Sequence, residues 1–170
     1  MNASKLLLLV LLATGVNGSN IRSIHTTTTD ILPDEFYGTF DLDHTENFHE
    51  YLIAKGYDWL TRQFIHLSIH RKIFRRTKNK YLFDYSNLTS KKDTFHKNVR
   101  VGRKFDGEGL DGMKHEITFT VKNIHLFEEH KLPGSKVPEE VYEYYFNDHF
   151  LIQQATFNGV RGHRFFRRID

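Results

Sequence analysis

The sequence predicts an all-β domain, a barrel or sandwich of short antiparallel strands interrupted once by helix. Three observations point there. Fifteen Phe and eight Tyr stand among 170 residues, and aromatic side chains suit a pleated, half-buried surface. Short apolar runs alternate with turn signals over most of the chain. Helical spacing is confined to one early stretch, residues 47–67.

The elements follow in order. Residues 1–18 read as a secretory signal peptide: a short positive region with Lys5, an apolar run from Leu6 to Ala13 too short to span a bilayer, and small residues up to Gly18 before a cut. Ala13-Thr14-Gly15 offers a second possible cut. The remaining chain of about 150 residues is long enough to bury roughly two thirds of its unfolded surface. It contains no cysteine, so a secreted domain must be held by its core alone, and thiolate, zinc–thiolate and iron–sulfur chemistry are excluded. Residues 19–32, with threonines from Thr26 to Thr29, lack periodicity and are expected to form a flexible leader, the domain itself occupying residues 33–170.

Phe36, Gly38, Phe40 and Leu42 fall on one face of a first strand. The period then changes. Asn47 with Glu50 makes a capping box, and Phe48, Tyr51 and Leu52 form the apolar stripe of a helix that Gly56 stops. Asp58 caps a second helix with Leu60, Phe64 and Leu67 at i, i+4, i+7. Beyond His70 only strands are expected, over residues 81–85, 116–121, 124–127, 141–146, 150–157 and 160–166, with turns at Asn147-Asp148 and Asn158-Gly159 and a longer loop at Pro133-Gly134.

Strand, two-helix hairpin, then a meander of strands is the order in which the chain resembles the fatty-acid-binding proteins, the intracellular-lipid-binding branch of the calycins. The stretches that carry the resemblance are residues 36–42 (Phe-Tyr-Gly-Thr-Phe-Asp-Leu), 46–52 (Glu-Asn-Phe-His-Glu-Tyr-Leu), 61–63 (Thr-Arg-Gln) and 102–106 (Gly-Arg-Lys-Phe-Asp), with the last strand, residues 160–166. With its signal peptide, Lys91-Lys92-Asp93-Thr94 and the loop at Pro133, the chain looks like the secreted branch found in roundworms. The resemblance implies a ten-stranded antiparallel up-and-down β-barrel lidded by a helix–turn–helix between the first and second strands. It also implies an extracellular, monomeric carrier of long-chain fatty acids or similar lipids that needs no cofactor and is not an enzyme.

Val160, Gly162, Arg164 and Phe166 share one face of the last strand. If that face is inward, a guanidinium lies inside the barrel and requires an anion, which a lipid carboxylate supplies in bidentate fashion. By resemblance Arg164 is the head-group arginine of the family's Arg-x-Tyr pair, with Phe166 where the tyrosine would stand. The family's second internal arginine falls on Tyr144, or on Glu143 in an alternative register. Tyr144 inward would replace the hydroxyl missing at Phe166; Glu143 inward would pair with Arg164 and favour a neutral lipid. Phe48, Tyr51, Leu52, Thr61 and Leu110 are expected to line the pocket or its portal.

Other signals carry less. Gly107 to Gly112 matches a dinucleotide fingerprint but leads into a strand, so the glycines read as turn residues. His66 and His70 at i, i+4 lack the intervening glutamate of a zinc protease and read as exposed helix-end histidines, and no catalytic or metal constellation stands out. Arg71, Lys72, Arg75, Arg76, Lys78 and Lys80 form a basic run without an acid, either a solvated turn or a patch beside the lid that docks on anionic membrane; nucleic acid is not expected. Asn87-Leu88-Thr89 is a glycosylation sequon. Two rivals remain at this stage: a lipocalin-type carrier, and a basic interaction module with a filled barrel.

Overall fold

The computed structural model describes residues 28–136 and 140–170. The expected signal peptide and most of the expected leader lie outside these residues. The elements are β1 (Thr28–Thr29), a 3-10 turn (Asp34–Phe36), β2 (Gly38–Glu46), α1 (Phe48–Ala54), α2 (Trp59–Leu67), β3 (His70–Arg76), β4 (Phe83–Thr89), β5 (Thr94–Val99), β6 (Lys104–Glu108), β7 (Lys114–Lys122), β8 (His125–Lys131), β9 (Glu140–Asn147), β10 (Phe150–Phe157) and β11 (Val160–Arg168). Strands β2 to β11 make the ten-stranded antiparallel barrel, with both helices between β2 and β3. Each strand pairs with the next in sequence except β5 with β6, and β11 returns to pair with β2.

The barrel begins before Pro33. Thr28 and Thr29 pair with Lys122 and Val121 of β7, and Leu32 is buried in the core, so the last residues of the expected leader are part of the wall. Three strands had no clear apolar alternation and were not expected: β3, β5 and β6. In β3 the basic run hides a strand whose His70, Lys72 and Phe74 point inward while Arg71, Ile73 and Arg75 face out. Ile124, expected to open a strand, instead turns the chain between β7 and β8 at φ 65 beside Asn123 at φ 49.

The second helix starts as its sequence requires: the Asp58 carboxylate accepts from the Thr61 backbone N–H at 3.0 Å and the Thr61 hydroxyl at 2.6 Å. The capping box at the first helix does not form. Asn47 takes φ 51, and its Nδ2 donates to the Arg161 carbonyl at 2.6 Å, tying the helix start to β11. Phe48, Tyr51 and Leu52 are buried as a lid cluster with Ala155, and Gly162 lets α1 lie close, since a Cβ there would stand 2.7 Å from the Tyr51 Cβ. At the other end of the barrel, Phe36, Phe40, Phe74, Phe83, Phe119 and Phe166 fill the interior with fully buried rings.

Candidate ligand-binding site

Between that packed end and the lid lies a cavity of about 810 Å³. Phe48, Tyr51 and Leu52 of α1, Thr61 of α2 and Leu110 of the β6–β7 loop line it, so the five residues expected at the pocket or portal all reach it. Arg164 also lines it, because β11 alternates regularly and places Gly162, Arg164 and Phe166 on the inner face. Its guanidinium lies 4.1 Å from the centre of the Phe48 ring, and among the described residues it forms no ion pair. Its remaining exposure is to the cavity. Burial lowers its pKa, a shift that the phenols of Tyr142 and Tyr144 and the Glu140 carboxylate oppose.

Tyr144 faces in and Glu143 faces out. Glu143 accepts from His125 Nδ1 at 2.6 Å and from Gln154 Nε2 at 3.2 Å on the outer surface, so it cannot pair with Arg164. Tyr144 is fully buried, but its hydroxyl donates to Glu128 Oε2 at 2.5 Å rather than pointing at the cavity. Phe166 is packed in the barrel floor, 5.5 Å beneath the Lys72 ammonium. Of the expected head-group residues, then, Arg164 alone reaches the cavity, while Tyr144 and Phe166 stand in its floor.

The floor is polar in a way that the sequence reading missed. Lys72 Nζ donates to the Tyr85 hydroxyl at 3.0 Å, Tyr85 donates to Glu128 Oε2 at 3.3 Å, and Gln153 Nε2 donates to the Tyr144 hydroxyl at 2.9 Å. His130 Nε2 lies 2.8 Å from Glu128 Oε1. Burial opposes ionisation of Glu128, but the His130 hydrogen bond and charge, with Lys72 and Tyr144, hold its pKa well below the carboxylate range. Burial likewise opposes protonation of His130, which Glu128 outweighs, so its pKa is raised. Lys72 is pushed down to about 8, chiefly by burial, with Glu128 resisting and Arg164 assisting. The signal for these residues lay in the alternation His70-Lys72-Phe74 and Leu126-Glu128-His130, obscured because charged residues at inward positions read as surface.

Two further expectations are corrected. Asn87 is buried on the inner face of β4, opposite Lys72, and lines the cavity, so in the folded barrel the sequon side chain points inward and not to the outer surface. The basic run is not one patch beside the lid: Lys72 is inside, Arg71 pairs with Asp41 at 2.5 Å, Arg76 pairs with Asp34 at 3.0 Å, and β3 runs away from the lid towards Lys78 and Lys80. His66 is exposed on α2, whereas His70 is buried at the start of β3, so the two are not a helix-end pair.

No family model matches the chain. Known proteins do. Fatty acid-binding protein homolog 2 of Caenorhabditis elegans is 60% identical over 139 residues, covering 81% of this chain and 86% of that protein. The fatty acid-binding protein homolog of Ascaris suum is 40% identical over 140 residues, 81% of this chain and 86% of that protein. The chain belongs to the fatty-acid-binding protein family. Among solved structures, As-p18, an extracellular fatty acid binding protein, superposes with a TM-score of 0.77 at 40% identity, covering 82% of this chain and 99% of that one. Membership removes the lipocalin alternative. Among the described residues one arginine, Arg164, lines the cavity, above a floor in which Lys72, Tyr85, Tyr144 and Glu128 are hydrogen-bonded to one another.

Proposed function

We propose that this protein is a secreted, non-enzymatic carrier that holds a long-chain fatty acid in the barrel, its carboxylate on Arg164. The observation that carries this reading is Arg164 itself: a guanidinium on the inner face of the barrel, lining the cavity, with no ion pair among the described residues. A buried cation is costly without an anion, and a carboxylate matches the guanidinium fork. The apolar lid residues Phe48, Tyr51 and Leu52 take up the chain, at about 0.8 kcal/mol for each methylene buried.

Export is supported by the signal-like N-terminus and by the extracellular description of As-p18. Contact with an anionic membrane during loading falls to the lid rather than to the basic run, because Trp59, Leu60, Phe64 and Leu67 of α2 are exposed. The interaction-module reading loses its basis, since its basic surface is divided between interior, ion pairs and the far end of the barrel.

The test is extraction of the purified protein with organic solvent and identification of the copurified lipid by mass spectrometry, for wild type and Arg164→Leu. Fatty acid should be recovered from the wild type. In Arg164→Leu its affinity should fall about 30-fold, as when one partner of a buried charge pair is removed, about 2 kcal/mol. Equal recovery of neutral lipid from both proteins would remove Arg164 from the head-group role.

A further inference from the structure

The polar atoms around Arg164 describe more than a carboxylate. Gln153, Asn87 and His70 are each at least nine-tenths buried and line the cavity. Gln153 Oε1, Asn87 Oδ1 and both ring nitrogens of His70 have no hydrogen-bond partner among the described residues. The orientation of the Gln153 amide is fixed by its neighbours. The Tyr144 hydroxyl gives its proton to Glu128 and can only accept from Gln153, so the Gln153 nitrogen points to Tyr144 and its oxygen is the free atom.

These atoms line the same cavity as the guanidinium. Gln153 is directly opposite Arg164 in the β10–β11 ladder, and Asn87 is directly opposite Lys72 in the β3–β4 ladder. Directly opposed residues have Cβ atoms about 4.5–5.5 Å apart. Arg164 and Lys72 both act electrostatically on His70, which burial keeps neutral, and a neutral imidazole offers one acceptor and one donor. A carboxylate carries acceptors only. It answers Arg164 and leaves the amide oxygen of Gln153 facing an anion.

We propose that the preferred ligand is a hydroxylated fatty acid whose hydroxyl sits within a few carbons of the carboxylate and donates to Gln153 Oε1. The inference rests on the fatty-acid reading above and narrows it to a ligand that brings a donor as well as an anion. The carboxylate takes Arg164, the hydroxyl takes the amide oxygen one strand away, and the hydroxyl oxygen is free to accept from His70. A hydroxyl at the far end of the chain would be out of reach of Gln153 Oε1.

The test is displacement of a fluorescent fatty acid from the delipidated protein by palmitic acid, 3-hydroxypalmitic acid and ω-hydroxypalmitic acid. The 3-hydroxy acid should bind about tenfold more tightly than palmitic acid, the scale of one hydrogen bond to a buried acceptor, and the ω-hydroxy acid should show no such gain. In Gln153→Met, with folding checked by circular dichroism, the ratio of 3-hydroxypalmitic to palmitic affinity should fall from about ten to about one. Equal binding of palmitic and 3-hydroxypalmitic acids by the wild type overturns the inference and leaves fatty-acid carriage standing. An equal gain with the ω-hydroxy acid overturns the placement beside the carboxylate, and a preference that survives Gln153→Met overturns Gln153 as the acceptor. Failure of all three acids to displace the probe removes the fatty-acid reading itself. The wild-type series decides the matter even if the variant does not fold.

Discussion

The two halves of the barrel interior are built to opposite rules. At the closed end Phe36, Phe40, Phe74, Phe83 and Phe119 meet ring against ring, with centroids such as Phe36–Phe146 at 5.2 Å and Phe119–Tyr85 at 5.2 Å. Towards the lid the same strands carry Lys72, Glu128, His130, Gln153 and Arg164 around open space. Apolar packing at native density stabilises without conditions, whereas buried charges stabilise only when partnered. The closed end therefore supplies the stability that lets the lidded end hold an unpaired guanidinium, and the dividing plane is the layer of Tyr85 and Tyr144, whose rings belong to the core and whose hydroxyls belong to the site.

The comparison breaks most severely if the packed end is opened. Phe119 is fully buried against Phe83, Tyr85 and Phe105. Phe119→Ala should cost about 3–5 kcal/mol of unfolding free energy, measured by urea titration; a loss below about 1 kcal/mol would show that this end is not the main source of stability.

The next effect separates the halves by pH. In the unfolded chain the Lys72 ammonium titrates near 10.5, and in the folded barrel at about 8. Between those values the unfolded chain binds more protons, so stability rises with pH across that window, and the full cost of burying the ammonium is present below it. A shift of that size corresponds to about 3 kcal/mol. Urea unfolding of wild type and Lys72→Met at both ends of the window should show wild type gaining about that much relative to the variant. Parallel pH dependences would mean that Lys72 keeps its ordinary pKa and that the floor of the cavity is wet.

What could be read in advance divides along the same plane. Strands whose inner faces are apolar were legible, as with Ile117, Phe119 and Val121 in β7, because burial and alternation coincide there. Strands whose inner faces carry the site were not: His70 and Lys72 in β3, Thr94 and His96 in β5, and Glu128 and His130 at the end of β8 place polar residues inward, which erases the pattern that announces a strand. Arg164 escaped this fate because Val160, Gly162 and Phe166 on either side kept its strand recognisable. Resemblance to a family supplied the barrel and the lid, but it pointed to Tyr144 and Phe166 as head-group residues, and only the packing of Glu128 against Tyr144 shows why they sit beneath the cavity.

The helices repeat the lesson at the smallest scale. Both have apolar residues at helical spacing, yet α1 buries Phe48, Tyr51 and Leu52 while α2 buries none of its residues and leaves Phe64 at 64% and Leu67 at 78% exposed. Periodicity shows that a helix has an apolar face; it does not say whether the protein itself covers that face. Phe64→Ser should therefore change the unfolding free energy by no more than about 0.5 kcal/mol, the range of exposed substitutions. A loss above about 1.5 kcal/mol would mean that α2 closes onto the barrel in solution and that its apolar face belongs to the core after all. If stability is unchanged, the reason for an apolar surface on the lid must be sought in what the lid meets when a lipid enters, and the rate of fatty-acid uptake from vesicles is the property that Phe64→Ser should then alter.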